Sequence, residues 1–220
     1  MQIQVVRKIL EDNEETAKRL RGTFRDYRTL VLNLMSSPGA GKTSLLEATL
    51  GVLQRSFHTA VIEGDINTTR DAERIAATGA QTLQINTDGA CHLDSAMVLQ
   101  ALEHLDLTRL DLLFIENVGN LVCPAAFELG EDLTVTLLSV PEGDDKPEKY
   151  PAMFAKSHAL VLNKTDLLPY LSFDVERAQK AARAVNKDLE FFSLSATQGE
   201  GLEHWTQWVQ DRVRDKKEAG

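Results

Sequence analysis

Between Ser36 and Ser44 the chain reads SSPGAGKTS, and no other stretch restricts the fold so tightly. An apolar run, Thr29 to Met35, leads into it, and an amphipathic run, Leu45 to Leu53, leaves it. A buried strand, a glycine-bearing turn and a helix start thus come in the order that a phosphate-binding loop requires. Gly39 and Gly41 free the backbone to aim N–H groups at one point, with Pro38, Ala40 and Ser44 completing the loop. The helix N-terminus adds partial positive charge there. Lys42 can span the β- and γ-phosphates of a nucleotide, and the Thr43 hydroxyl is placed to ligate Mg²⁺. One departure stands out. Ser36 occupies the first glycine position of G-x-x-x-x-G-K-[ST], and serine disfavours positive φ.

Beyond the loop, short apolar runs alternate with amphipathic ones. Strands are expected at Ala60–Ile62, Thr82–Ile85, Leu112–Ile115, Leu133–Val140, Ala159–Leu162 and Phe191–Leu194. Helices are expected near Arg70–Thr78, Asp94–Leu105, Glu148–Ala155, Asp174–Asn186 and Leu202–Val213. Near-continuous apolar strands between such helices predict an α/β fold, a mostly parallel sheet covered on both faces, with its functional loops along one edge. Upstream, Ile3, Val6, Leu10, Asn13, Ala17, Leu20 and Phe24 recur at spacings of three and four, a helical stripe with one polar member. The preferred reading packs this helix on its own domain; an arm for a partner or a second copy is the alternative. Gly22 is expected to weaken its last turn. Residues 1–28 therefore read as a helical extension and 29–220 as the nucleotide-binding domain, with a charged tail from Arg212 that frays.

A formal charge of −9 argues against a nucleic-acid partner, since surfaces that track phosphates are basic. No apolar run reaches roughly 18 residues and no leader pattern opens the chain, so neither a membrane span nor secretion is expected, and the location is taken as cytoplasmic.

Three carboxylate-bearing turns carry the next inferences. Asn163-Lys164-Thr165-Asp166 follows an apolar strand, where an Asp carboxylate can accept from both N1–H and the exocyclic amine of guanine. Adenine offers an acceptor at N1 and no such amine, so GTP or GDP is expected over ATP. Ser195 and Ala196, ending a later strand, can offer backbone N–H to guanine O6. Glu116 closes the strand Leu112–Ile115 and can hold Mg²⁺, while the Gly119 N–H can reach the γ-phosphate. Glu63-Gly64-Asp65 ends its run in the same way, and Asp65 is assigned a second Mg²⁺-side or water-orienting role; exposed strand ends are the alternative. No glutamine is placed to orient water, so slow turnover is expected.

Cys91 and His92 are adjacent, and Cys123 follows Gly119 closely. Two thiolates and an imidazole suit Zn²⁺ or Ni²⁺, while free cysteines packed as small core residues are the plainer alternative. Three donors leave a place for water or for a second chain. His58, His104, His158 and His204 show no ligand pattern.

Together, SSPGAGKTS, EGD, GACHLD, IENVGNLVCP, PEGDDKPEKYP and NKTDLLPY resemble the hydrogenase nickel-incorporation GTPases of the HypB family, from Leu30 to about Trp208. The resemblance implies a dimerising GTPase of the signal-recognition/MinD-like class that helps deliver Ni²⁺ to the [NiFe]-hydrogenase large subunit, with the small zinc-containing protein HypA as partner. It implies that Cys91, His92 and Cys123 bind Ni²⁺ or Zn²⁺ at a homodimer interface. Lys42, Thr43, Asp65 and Glu116 would serve phosphate, Mg²⁺ and hydrolysis, Asp166 would select guanine, and Lys146 would approach the partner chain's nucleotide. No histidine-rich N-terminal tract is present, which leaves a minimal GTPase with one metal site. The rivals are a urease-type accessory GTPase, whose metal motif separates Cys and His by a proline, a non-hydrolytic metal-binding scaffold, and a partitioning or carrier ATPase.

Overall fold

A computed structural model describes residues 2–65 and 69–219, with the side chains of residues 2–6 left out. Ile3 and Val6 of the predicted stripe lie outside the described side chains.

Seven parallel strands form the sheet: β1 (Leu30–Ser36), β2 (Thr59–Asp65), β3 (Gln81–Asn86), β4 (Leu112–Glu116), β5 (Leu133–Ser139), β6 (Ala159–Asn163) and β7 (Glu190–Ser193). Their order is β3-β2-β4-β1-β5-β6-β7. β1 sits at the centre, so every residue from Leu30 to Ser36 is buried. The order reverses at β1, and such a switch point opens a crevice at the carboxyl ends of the strands. Ligands of open α/β sheets bind there because no connection crosses it.

Helices cover both faces, as strands without a polar side require. Leu30, Leu32 and Leu34 face α2 (Lys42–Leu53) and α8 (Leu202–Glu218), whose Leu45, Leu46, Leu50, Trp205 and Val209 are fully buried. On the other face Val31 meets Leu20 and Phe24 of α1 (Gln2–Asp26) and Val98 and Leu102 of α4 (Ser95–Leu102). α3 (Arg70–Ala76) follows β2; α5 (Lys146–Lys149), α6 (Pro151–Lys156) and α7 (Val175–Val185) cover the β5–β6 side.

Two expectations fail for identifiable reasons. The helix expected at Glu148–Ala155 is two short ones, α5 and α6, because Pro151 has no N–H to continue the first. α8 does not fray from Arg212: it runs to Glu218, and Lys216 bonds Asp132 at 2.5 Å while Lys217 pairs with Asp111. α1 continues past Gly22 to Asp26, with Phe24 fully buried. Among the described residues no helix is long and apolar enough to cross a membrane.

Trp205 fixes the α2–α8 contact. Its ring is fully buried, and its indole N–H donates to the Thr49 hydroxyl at 2.9 Å, so the one polar atom it buries is satisfied. Trp205→Ala is expected to destabilise the fold by about 3–5 kcal/mol, read from the denaturant midpoint at unchanged slope.

Candidate nucleotide and metal sites

The loop after β1 turns through two residues that need positive φ, Gly39 at 76° and Gly41 at 100°. Gly41 is also sterically required, because a β-carbon there would stand 2.5 Å from the Asn163 amide nitrogen. Ser36 costs nothing at the first glycine position: it is the last residue of β1, and its hydroxyl accepts from Lys42 Nζ at 3.0 Å. Lys42 is almost wholly buried, and desolvation pulls its pKa below the usual lysine range. An ammonium held there against its solvation preference gains strongly from an anion at the loop mouth.

Pro38, Gly39, Gly41, Lys42, Thr43 and Ser44 line one wall of a cavity of about 430 Å³. Glu63, Gly64 and Asp65 from β2, Asp71 and Arg74 from α3, Glu116 to Gly119 at and after the end of β4, and Lys164 after β6 line the rest. Thr43 Oγ1 donates to Glu116 Oε1 at 3.0 Å. The parallel register sets Glu63 directly beside Glu116, and both are at least 96% buried. Each leaves its Oε2 with no hydrogen-bond partner. Two orphaned carboxylate oxygens beside a threonine hydroxyl form an oxygen-only donor set, the kind that suits a hard divalent cation. Burial, then the neighbouring Glu116 and Asp65, raises Glu63 to about 8; burial raises Glu116 to about 7, opposed by Lys42 and Thr43.

Sequence reasoning selected Asp65 and passed over Glu63. Asp65 does line the cavity, half-buried, but Glu63 is the buried one in register with Glu116. Only strand pairing reveals that, although EGD held both acids. Arg74 was also missed: it donates to Glu47 and Ser44 on α2 and so seats α3 against the loop.

Asn163, Asp166, Ser195 and Ala196 do not line this cavity; they are fastened to its rim. Asn163 Nδ2 donates to the Ala40 carbonyl at 3.0 Å, and its Oδ1 accepts from the N–H groups of Lys164 and Ala196. Lys164 takes a left-handed backbone at φ 62°, with Nζ donating to the Gly39 carbonyl at 2.7 Å. Ser195 Oγ donates to Asp166 Oδ1 at 2.6 Å, aiming the carboxylate. The backbone N–H groups of Ser195 and Ala196, expected to face a base, are spent on Glu200 O and Asn163 Oδ1. Lys146 does not reach the cavity of its own chain; its Nζ donates to the Glu142 carbonyl and lies by Asp145.

The sulfur and imidazole donors do converge. Ligand atoms of Cys91, His92 and Cys123 all lie within 4.8 Å of one another, with Cys91 Sγ 3.6 Å from His92 Nδ1. Bonds of about 2.3 Å to sulfur and about 2.0 Å to nitrogen, at a tetrahedral angle, place such atoms about 3.5 Å apart; a right angle requires about 3.1 Å. The Cys91–His92 spacing lies nearer the tetrahedral value. His92 stacks on Phe127 with ring centroids 3.8 Å apart, and desolvation lowers its pKa, which keeps the imidazole neutral for ligation. The neighbouring Cys91 thiol, then burial, raises Cys123, so a metal must displace protons here. Asn120 Oδ1 accepts from the N–H of Cys123 at 3.2 Å and sets the turn that carries it.

Cavity and cluster share a segment. Gly119 packs so tightly on the phosphate loop that a β-carbon there would stand 2.9 Å from both N and Cα of Pro38. Asn117, fully buried, accepts from Leu93 N at 3.1 Å, so the residue after His92 hangs on the segment leaving β4. Leu93 in turn packs against Gly64, where a β-carbon would meet its side chain at 2.8 Å.

Residues 30–193 match the CobW/HypB/UreG nucleotide-binding domain. The hydrogenase maturation factor HypB of Escherichia coli is 53% identical over 202 residues, covering 92% of this chain and 70% of that protein. The hydrogenase/urease maturation factor HypB of Helicobacter hepaticus is 41% identical over 219 residues, covering 98% and 88%. The crystal structure of HypB from Helicobacter pylori in complex with nickel superposes with a TM-score of 0.88 at 36% identity, covering 93% of this chain and 96% of that one.

Glu63 and Glu116 keep their protons to higher pH in the folded chain than in the unfolded one, whose carboxyls titrate near 4.5. The native state therefore binds more protons between about pH 4.5 and 8, and stability falls as pH rises through that window. Each fully expressed group costs up to about 1.4 kcal/mol per pH unit. Denaturant unfolding in metal-free buffer at pH 5.5 and pH 8 measures this, and Glu63→Gln is expected to flatten the difference.

Proposed function

The chain belongs to the CobW/HypB/UreG family, among its HypB hydrogenase maturation factors, and on that premise we propose that it is a GTP-hydrolysing metallochaperone assisting nickel insertion into [NiFe]-hydrogenase. The observation that carries this reading is the segment from Glu116 to Cys123, which runs from the phosphate-facing cavity into the thiol–imidazole cluster.

In this reading the phosphate chain lies on the N–H groups of the Pro38–Ser44 loop, with Lys42 against its charge. Thr43, Asp65 and Glu116 hold Mg²⁺, and Glu63 joins them because its free oxygen points the same set toward a cation. Bound Mg²⁺ supplies neutralisation of charge on the transferring phosphoryl group. Gly119, flush against Pro38, offers its N–H to the γ-phosphate. Asn163 and Lys164 keep the base-side turn on the loop, and Asp166, aimed by Ser195, accepts from guanine. The filled hydrogen bonds of Ser195 and Ala196 give these two residues a supporting role rather than a direct one. Lys146, remote from its own cavity, fits a role across a homodimer strengthened by GTP. Residues 1–28 serve as an extension to the GTPase domain at 29–220, and the protein acts in the cytoplasm.

Cys91, His92 and Cys123 take Ni²⁺ as cargo, and the nickel complex of the similar Helicobacter pylori protein supports that ion. Zn²⁺ fits the same donors. A HypA-type zinc protein and the hydrogenase large subunit are the partners. The Helicobacter hepaticus relative, a hydrogenase/urease factor, favours a second reading in which urease also receives the nickel.

Single-turnover phosphate release with Mg²⁺ tests the enzyme. Slow release from GTP and little from ATP is expected; none from GTP, in any metal or dimeric state, would leave a scaffold. Asp166→Asn is expected to cost guanine selectivity on the order of 10³-fold or more and to gain xanthosine nucleotides. Unchanged GTP binding in that variant would remove Asp166 from the base site.

A further inference from the structure

α1 carries one polar residue within its apolar stripe, and that residue is 9% exposed. Asn13 uses its amide on both sides. Its Nδ2 donates to the Glu128 carbonyl at 2.9 Å, and its Oδ1 accepts from the Ser95 N–H at 2.8 Å. Ser95 answers with its hydroxyl, donating to the Asn13 carbonyl at 2.9 Å. These bonds span 115 and 82 residues of chain, so local helix propensity does not account for them. The segments they join are specific. Ser95 opens α4 three residues after His92, and Glu128 follows Phe127, the ring on which His92 stacks.

We propose that Asn13 is a positioning residue of the metal site: from α1 it brackets the two segments that carry the Cys91–His92 and Cys123 donors and sets their separation. A buried apolar residue would fill the stripe equally well and would leave the Ser95 N–H and the Glu128 carbonyl without these partners. Asparagine alone among residues of its size presents a donor and an acceptor in one plane, and here each faces its complement. The bracket is reinforced on the same face. Arg21 pairs with Glu128 at 3.0 Å, and Gly130 packs so closely that a β-carbon would stand 3.1 Å from the Ala17 carbonyl. Groups bonded directly to metal ligands typically change affinity by about 10–100-fold when lost. Asn13 acts one step further out, through the segments that carry the donors, so an effect at the low end of that range is expected.

A cavity of about 250 Å³ opens beside Asn13, which leaves room for a leucine to settle without expelling α1. The inference rests on the proposed metal role of Cys91, His92 and Cys123, and the test separates the two. Nickel affinity by chelator competition, the thiolate-to-nickel absorption band, GDP affinity and Tm are compared for the parent, Asn13→Leu, Asn13→Asp and Cys91→Ser. Cys91→Ser is expected to abolish binding and so identify the site. Asn13→Leu is expected to weaken Ni²⁺ binding roughly tenfold and to shift the band, with GDP affinity unchanged. Asn13→Asp keeps the acceptor for Ser95, loses the donor to Glu128, and is expected to fall between; it carries the test if the leucine variant does not fold. Parent-like affinity and band in a folded Asn13 variant, even with a lowered Tm, would overturn the bracket and leave the metal site standing. Parent protein that binds no Ni²⁺, or Cys91→Ser that binds it fully, would overturn the metal reading and this inference with it.

Discussion

Gly119 lies against Pro38 with no space for a single methyl group between the segment after β4 and the phosphate loop. That contact exists because β4 and β1 are neighbours at the centre of a parallel sheet, with Glu116, the last residue of β4, paired to Leu34 two residues before the end of β1. The backbone leaving Glu116 must therefore pass over the loop before it reaches Cys123. Asn117 adds a second tie by holding Leu93, the residue after His92. Two loops far apart in sequence thus hang from one short stretch of backbone, and packed interiors transmit a displacement instead of absorbing it.

The electrostatics of the cavity favour occupancy. Lys42 is buried with its pKa depressed, and Glu63 and Glu116 are buried with theirs raised, so each charge is held where burial makes it costly. An anion at the lysine and a cation at the carboxylates would relieve both costs together. A cation-bound triphosphate answers that demand, and this is the physical ground for preferring a nucleotide over an unrelated anion. At the second site three donors already stand within 4.8 Å of one another, and a three-donor set leaves a coordination place for water or a partner chain.

All seven strands were legible in the sequence because each is an apolar run bounded by turn residues, and the phosphate loop because its glycines, lysine and threonine are local chemistry. The resemblance to HypB proteins extended that reading to the family. The features that stayed hidden were long-range. Glu63 outranks Asp65 in burial only because β2 pairs in register with β4. The end of α8 looked frayed until Asp111 and Asp132 met its lysines. Ser195 and Ala196 looked available to a base until Glu200 and Asn163 were found to claim their N–H groups. Asn13 read as an interruption in a stripe, and only its bonds to Ser95 and Glu128 give it a purpose.

If the Gly119–Pro38 contact couples the two sites, nucleotide state and metal affinity must be linked in both directions. The most direct measurement is Ni²⁺ affinity by chelator competition at one fixed pH, with GDP and with a non-hydrolysable GTP analogue. Coupling predicts affinities that differ by about fivefold or more between the two states. Equal affinities would contradict it and leave two independent sites on one sheet.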